Sequence, residues 1–225
     1  MSATSPPDVG RAGWDADADV LLGYASPRGP RAPLVLGDGA RLRSGTVLYA
    51  GSRIGRRLQT GHHVVVREDC VVGDDVCLWS NTVVDYSCRI GSRVKVHANC
   101  YIAQWTELCE DAFLAPGVTI ANDLYPGQED SAATMSGPWI GPGAQLGVNV
   151  TVLPFVRIGA GCLVGSGSVV TRDLPPGTVA YGNPAKVRGR VEDLVDVDTR
   201  VRADSDSAAR FRLADHAGGP PGDCR

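Results

Sequence analysis

The chain repeats itself every six residues, and that repeat limits its fold more than any other feature. The register runs Leu36, Leu42, Leu48, Ile54, Thr60, Val66, Val72, Leu78, Val84, Ile90, Val96, Ile102, Leu108, Leu114, Ile120, and fourteen of these fifteen are Leu, Ile or Val. It then breaks and resumes at Ile140, Leu146, Val152, Ile158, Val164 and Val170. All six isoleucines of the chain fall on it. Repeats must be sought before any other pattern, because missing one misassigns the whole fold.

Two flanking positions give each hexad its shape. Two residues before the register the side chain is small or aliphatic, as in Ala40, Thr46, Ser52, Val64, Cys70 and Ala112. Three residues after it Gly, Asn and Asp recur, as in Gly39, Gly45, Asp69, Asp75, Asn81, Asn99 and Gly117. Those residues tolerate positive φ. Each hexad therefore reads as a short strand with one inward aliphatic and a tight turn. Glycine also recurs at 37, 55, 73 and 91, a spacing of 18, or three hexads. That spacing predicts a triangular coil. Stacked coils bury a column of aliphatics that no single coil could bury alone. About seven coils are expected, five before the break and two after.

Composition agrees. The 28 glycines and the dominance of valine disfavour a helical bundle. A chain of 225 residues holds one domain plus tails. Its 22 basic and 25 acidic residues leave a net charge of −3, with no basic excess to neutralise a phosphate backbone, so nucleic acid is not the expected partner. No run of 18 apolar residues is present, so no membrane partner is expected. The acidic N-terminus lacks the pattern of a secretory signal, and a cytoplasmic location is expected. Seven cysteines without CxxC spacing read as free thiols.

Three segments fall outside the repeat. Residues 1–33 are rich in Pro, Gly and Asp and read as a flexible N-terminal segment. Residues 34–187 form the repeat domain. Within it, 121–139 have no register and must loop outward, since the core column has no room for them; such loops usually carry function. Residues 188–225 form a charged tail, with a short helix expected at its start, RVEDLVDV.

With its turns at 18-residue spacing, the repeat resembles that of the left-handed parallel β-helix acyltransferases. An all-β, left-handed parallel β-helix is the expected fold. The hand comes from the resemblance, and it opposes the usual right-handed crossover preference. The segment GSGSVVTRDLPPGTVAYGNPAKVRG (165–189) closely resembles the one that ends many such enzymes beside acetyl-coenzyme A. The resemblance implies that Arg172 and Lys186 approach coenzyme phosphates, that Asn183 and Pro184 shape the turn near the adenine, and that Gly147 and Ser166 line the cofactor site. A capping turn with two solvated cations is the structural alternative.

Residues 18 apart stack on neighbouring coils. One column is His63, Asn81, Asn99 and Gly117; the next is Gly61, Trp79, His97 and Ala115; a third is Glu68, Tyr86, Gln104 and Asn122. His97 follows the inward Val96 and is expected to face outward. An outward imidazole suits proton transfer at neutral pH. Asn81, Asn99 and His63 occupy the turn position, where the structural preference for a left-handed residue, with stacked Asn ladders, is the alternative explanation.

The stretches TGHHVVVRED, SNTVV, VHANCYIAQ and ANDLYP narrow the resemblance to the nucleotide-linked amino-sugar N-acetyltransferases. That family implies a homotrimer with its site between subunits. It implies catalytic roles for His97 and Asn81, a sugar near the loop residues Asn122, Asp123 and Tyr125, and substrate contacts from His63, Asn99 and the pair Arg67 and Glu68. Arg67 is the candidate cation for a nucleotide pyrophosphate; a surface ion pair is the alternative. The expected reaction uses acetyl-coenzyme A as co-substrate and no metal. Either His97 removes the proton from the attacking amine, or the site only positions a neutral amine. Three other readings are kept: O-acetyl transfer to a hydroxyl, a zinc lyase of the γ-class carbonic anhydrase type, and a non-catalytic scaffold. The zinc reading is weakened because His62, His63, His97 and His216 include no pair five residues apart.

Overall fold

The computed structural model describes residues 13–194. The hexads fold as the repeat demands. Nearly every strand is two residues long, the first residue outward and the second buried, as in Lys95–Val96 and Phe113–Leu114. Strands stack in parallel at a register of 18, so Cys77 pairs with Lys95, and Lys95 with Phe113. The backbone ladder closes between coils: Cys77 N–H donates to Val94 C=O at 3.0 Å and Trp79 N–H to Val96 C=O at 2.8 Å.

Three sheets result. Sheet A has ten strands, from Asp15–Ala16 to Lys186–Arg190; sheet B has eight, from Leu21–Tyr24 to Val169–Val170; sheet C has seven, from Val35–Leu36 to Arg157–Ile158. Together they form the left-handed parallel β-helix, of about eight turns. Seven turns are complete, as the repeat predicts, and Asp15–Tyr24 adds part of another.

The aliphatic register fills the interior. Leu42, Leu48, Val66, Val84, Val96, Ile102, Leu114 and Ile140 are all fully buried. Each such side chain contributes about 1.5–3 kcal/mol by leaving water. The one exception in the register explains itself: buried Thr60 shares a hydrogen bond of 2.9 Å with the hydroxyl of buried Thr46 and accepts one from Arg43 N–H at 3.1 Å. Cys70, Cys88, Cys100 and Cys162 are buried free thiols at the small-residue position. Burial pushes the Cys100 thiol up to about 11, so it stays protonated at neutral pH.

Each corner turns on a residue with positive φ. Twelve described residues other than glycine take this conformation, all three places after the inward residue. Six of them, Arg57, His63, Ser87, Arg93, Trp105 and Phe155, are types outside the Gly/Asn/Asp pattern. The conformation costs an L-residue roughly 1–2 kcal/mol, so the stacked coils around it set the backbone. At the corner between sheets C and A, two of these residues extend into an ion ladder: Arg57 reaches Asp75 and Arg93 reaches Asp111, one coil on.

The 18-residue glycine column also has a physical cause. A Cβ on Gly73 would lie 2.6 Å from the backbone nitrogen of Ser92 and 2.9 Å from the carbonyl carbon of Gly91, on the next coil. The coils approach too closely there for any side chain.

Four expectations need correction. The cysteines are not all free thiols, because Cys77 is disulfide-bonded. The N-terminal segment is not loose throughout: Asp15–Ala16 and Leu21–Tyr24 add parallel strands to sheets A and B, and Trp14 Nε1 donates to Gly37 C=O at 3.1 Å. The insertion is shorter than expected at its end, because Trp139 already belongs to strand Trp139–Ile140. Glu107 pairs with Trp139 at a spacing of 32, so 14 residues are extruded, with one helical turn at Ser131–Thr134. The helix expected after Val187 is a single 3-10 turn, Val191–Asp193; the rest of the tail and His216 lie outside the described residues.

Candidate active site

The candidate residues gather at two corners on either side of sheet B. The corner from A to B carries His63, Asn81, His97, Asn99, Gly147 and Ser166. The corner from B to C carries Arg67, Glu68, Asn122, Asp123, Tyr125 and Arg172. Sequence spacing alone assigns them so, and the paired strands confirm the registers.

At the first corner His97 is half-buried and stacked. Its ring lies on Trp79, with centroids 4.2 Å apart and planes 14° apart, and tilts against Phe113 at 5.0 Å. Burial lowers its pKa below the ordinary 6.5, and Lys95 on the preceding strand adds to that shift. His97 is therefore neutral near pH 7 and able to accept a proton. Further along the same column stand Ala115, Gly147 and Gly165, which leave a strip without bulk. Gly147 is bare because a Cβ would lie 2.7 Å from Ser166 N and Oγ on the next coil. Ser166 Oγ in turn accepts Val148 N–H at 3.1 Å.

Asn81 and Asn99 are bonded to each other on the exposed side of this corner. Both have φ 61°, and Asn81 Nδ2 donates to Asn99 Oδ1 at 3.2 Å. That is the ladder the turn position allowed. His63 takes φ 57° at the same position, is exposed, and leans its ring over Gly45.

The second corner is a buried charge network. Glu68 has no exposed side-chain surface. Burial pushes its carboxyl up, but its own backbone N–H and the Arg67 guanidinium outweigh this and hold it below the ordinary carboxylate range. Arg67 bonds Glu68 at 3.0 and 3.2 Å and Asp85 at 3.0 Å. Asp85 also accepts from Tyr101 Oη at 2.7 Å, Gln104 Nε2 at 2.8 Å and Tyr86 N–H at 2.8 Å. Gln104 Oε1 accepts Asn122 Nδ2 at 2.6 Å, which ties the network to the first residues of the extruded loop. Arg28 lies over the Tyr86 ring at 3.7 Å and covers the outer side. Arg67 is thus engaged by two carboxylates, and a pyrophosphate would have to displace one of them. In the loop, Asp123 Oδ1 accepts Tyr125 N–H at 2.8 Å and leaves Tyr125 exposed.

The cofactor candidates also divide. Strand Thr178–Tyr181 extends sheet A, and the turn after it contains a cis Asn183–Pro184 bond. Ala185 N–H donates to Val169 C=O at 2.8 Å, which lays this turn across the corner that carries His97. Asn183, Pro184 and Lys186 are exposed there, whereas exposed Arg172 stands at the end of the Glu68–Asn122 column. The sequence columns contain Trp79 and Gln104 without assigning them a role, and Phe113, Asp85 and Tyr101 are not singled out from sequence. The 18-residue spacing from Arg67 to Asp85 would have found the central carboxylate.

Residues 87–122 and 137–172 match the family model described as bacterial transferase hexapeptide (six repeats). A Staphylococcus aureus (strain COL) protein, named provisionally as an acetyltransferase, is 31% identical over 125 residues, covering 53% of this chain and 63% of that protein. Serine acetyltransferase 2 of Arabidopsis thaliana is 41% identical over 106 residues, 47% of this chain but 32% of the plant enzyme. Among solved structures, PerB from Caulobacter crescentus in complex with CoA and GDP-perosamine aligns at TM-score 0.34 and 26% identity, covering 79% of this chain and 57% of that one. The matched stretches end at the boundaries of the extruded loop, and the same register continues N-terminal to them through every coil; over those stretches the chain is similar to the bacterial hexapeptide-repeat transferases.

Proposed function

We propose that the protein is an acetyl-coenzyme A-dependent N-acetyltransferase acting on the amino group of a nucleotide-linked amino sugar, as a homotrimer whose site forms between copies. The observation that carries this reading is the placement of the two clusters. They flank sheet B, and sheet B is the one sheet whose outward residues are all uncharged: Leu21, Val47, Val65, Val83, Tyr101, Thr119, Thr151 and Val169. Sheets A and C present Arg41, Lys95, Arg53, Arg89 and Glu107. An uncharged face is the natural one to bury against other copies. When three prisms turn one face to a common axis, each corner beside that face meets the unlike corner of a neighbour. His97 of one copy then faces the Asn122 loop of the next, and Lys186 shares a cleft with the neighbour's Arg172.

The chemistry follows from these groups. The bare strip at Ala115, Gly147 and Gly165 accommodates the extended thiol arm, and Lys186 and Arg172 attract its phosphates. The amine lone pair attacks the thioester carbonyl, the C–N bond forms and the C–S bond breaks. The amine proton passes to neutral His97, and the departing thiolate takes a proton to leave as coenzyme A thiol. The relatives named as acetyltransferases support acetyl transfer, and the resemblance of the ANDLYP loop supports an amino-sugar acceptor.

A hydroxyl acceptor is the second reading, favoured by the 41% identity to a serine acetyltransferase over part of the chain. Thiol release from acetyl-coenzyme A, measured across UDP- and dTDP-amino hexoses and their hydroxyl counterparts, separates the two. The amine reading predicts turnover with an amino sugar alone; turnover of serine or of the hydroxyl sugars would replace it.

A further inference from the structure

Every donor and acceptor from Asp85 to Asn122 has a forced direction. Asp85 is 5% exposed, and four donors converge on its two oxygens: Arg67, Tyr101, Gln104 and the Tyr86 N–H. So surrounded, it acts as an acceptor only. Gln104 must therefore turn its NH2 toward Asp85, and its carbonyl oxygen then points the other way. That oxygen accepts Asn122 Nδ2 at 2.6 Å. Asn122 has spent its donor end inward, so its Oδ1 is the end left for a ligand. Among the described residues none donates to it. The Asn122 main chain is also pinned, since its C=O accepts Ser136 N–H at 2.9 Å across the base of the loop.

We propose that Asp85 and Gln104 are positioning residues that set the polarity of the acceptor subsite, so that Asn122 presents a carbonyl oxygen and selects an acceptor that brings an N–H donor. This rests on the N-acetyltransferase reading for the identity of that acceptor. A neutral amine has two N–H bonds and one lone pair. Holding one N–H on Asn122 Oδ1 leaves the lone pair free to face the thioester. With the opposite polarity, Asn122 would offer NH2 and compete for that lone pair.

The test reverses the polarity and restores it. In Asp85→Asn the new amide donates to Gln104 Oε1, Gln104 turns, and Asn122 presents NH2. In Asp85→Asn/Gln104→Glu the carboxylate has moved one place along the chain, the charge is unchanged, and Asn122 again presents its oxygen. The first readout needs no substrate: exchange of the Asn122 side-chain NH2 protons, followed by NMR on protein carrying 15N-asparagine. Slow exchange is expected in the wild type, faster exchange by about tenfold or more in D85N, and slow exchange again in the double variant, as expected for one buried hydrogen bond lost and regained. The second readout is kinetic: KM for the amino sugar should rise about tenfold in D85N and return to within about twofold in the double variant, with KM for acetyl-coenzyme A unmoved. Should D85N/Q104E fail to fold, D85N/N122D also satisfies every bond with an oxygen outward, and the KM arm is read on it. Unchanged amide exchange in D85N, or a double variant as impaired as the single, overturns the polarity assignment. Absence of turnover by the wild type with any amino sugar overturns the functional reading instead, and the exchange data still decide the polarity.

Discussion

The imidazole of His97 lies flat on the indole of Trp79, with ring centroids 4.2 Å apart. The pair comes from one 18-residue step of the repeat, and it makes an otherwise ordinary outward histidine partly desolvated. Burial and Lys95 both lower its pKa from 6.5. A base that must be neutral works above its pKa, so the acid limb of kcat/KM should lie below pH 6.5. Trp79→Ala uncovers one face and should move that limb up toward 6.5. His97→Ala should lower kcat by about 10²- to 10⁴-fold. A pH–rate profile of the three proteins checks both statements; an acid limb unmoved in Trp79→Ala would remove the stack from the account.

The Arg67–Glu68–Asp85 network makes a stability prediction with a definite sign. Glu68 is held below its ordinary 4.5, so its contribution is present above that value and is lost as pH falls through the lowered one. Arg67→Met strands two buried carboxylates and should cost about 3–5 kcal/mol near neutral pH. The penalty should shrink toward about pH 4, where protonation relieves the stranded Glu68 carboxylate. Urea unfolding at the two pH values measures it, and a penalty that grows on acidification would contradict the assignment.

Coil spacing predicts which glycines matter. Gly73→Ala must push its Cβ into Ser92 N at 2.6 Å, whereas a Cβ on Gly189 meets nothing within 4 Å. Thermal unfolding should register a loss of roughly 1–3 kcal/mol or more for the first, in the range of overpacked cores, and almost none for the second.

The extruded loop should be separable from the scaffold. Deleting residues 122–135 returns Ile140 to the six-residue register with Ile120. The β-helix should keep its far-ultraviolet circular dichroism and its coenzyme A affinity. Acceptor turnover should fall by about 10²-fold or more, the scale on which lost positioning acts. Loss of the fold itself would show that the loop is structural.

The fold was legible in the sequence because one inward aliphatic per hexad and one turn residue per corner repeat without interference for five coils. Even the glycine column could be read before its cause, the close approach of Gly73 to Ser92, was visible. The site was less legible. Turn positions make Asn81 and Asn99 look the same whether they hold a ligand or each other, and the bond between them is visible only in the fold. Asp85 was missed because its partners lie 16 to 19 residues away on three sides and no short motif contains them. The strands Asp15–Ala16 and Leu21–Tyr24 were missed because they lie outside the hexad register and borrow their pairing from the first full coil.

The most direct test of the central claim mixes two disabled chains. His97→Ala and Asn122→Ala, carried on differently tagged copies, are co-expressed, mixed trimers are isolated, and thiol release from acetyl-coenzyme A is followed with the amino-sugar acceptor. Each parent trimer should be nearly inactive. Every mixed trimer contains one junction of three with both residues intact, so the isolated mixed trimers should recover about a third of wild-type activity. Mixed trimers no more active than their parents would contradict a site built from His97 of one copy and Asn122 of the next.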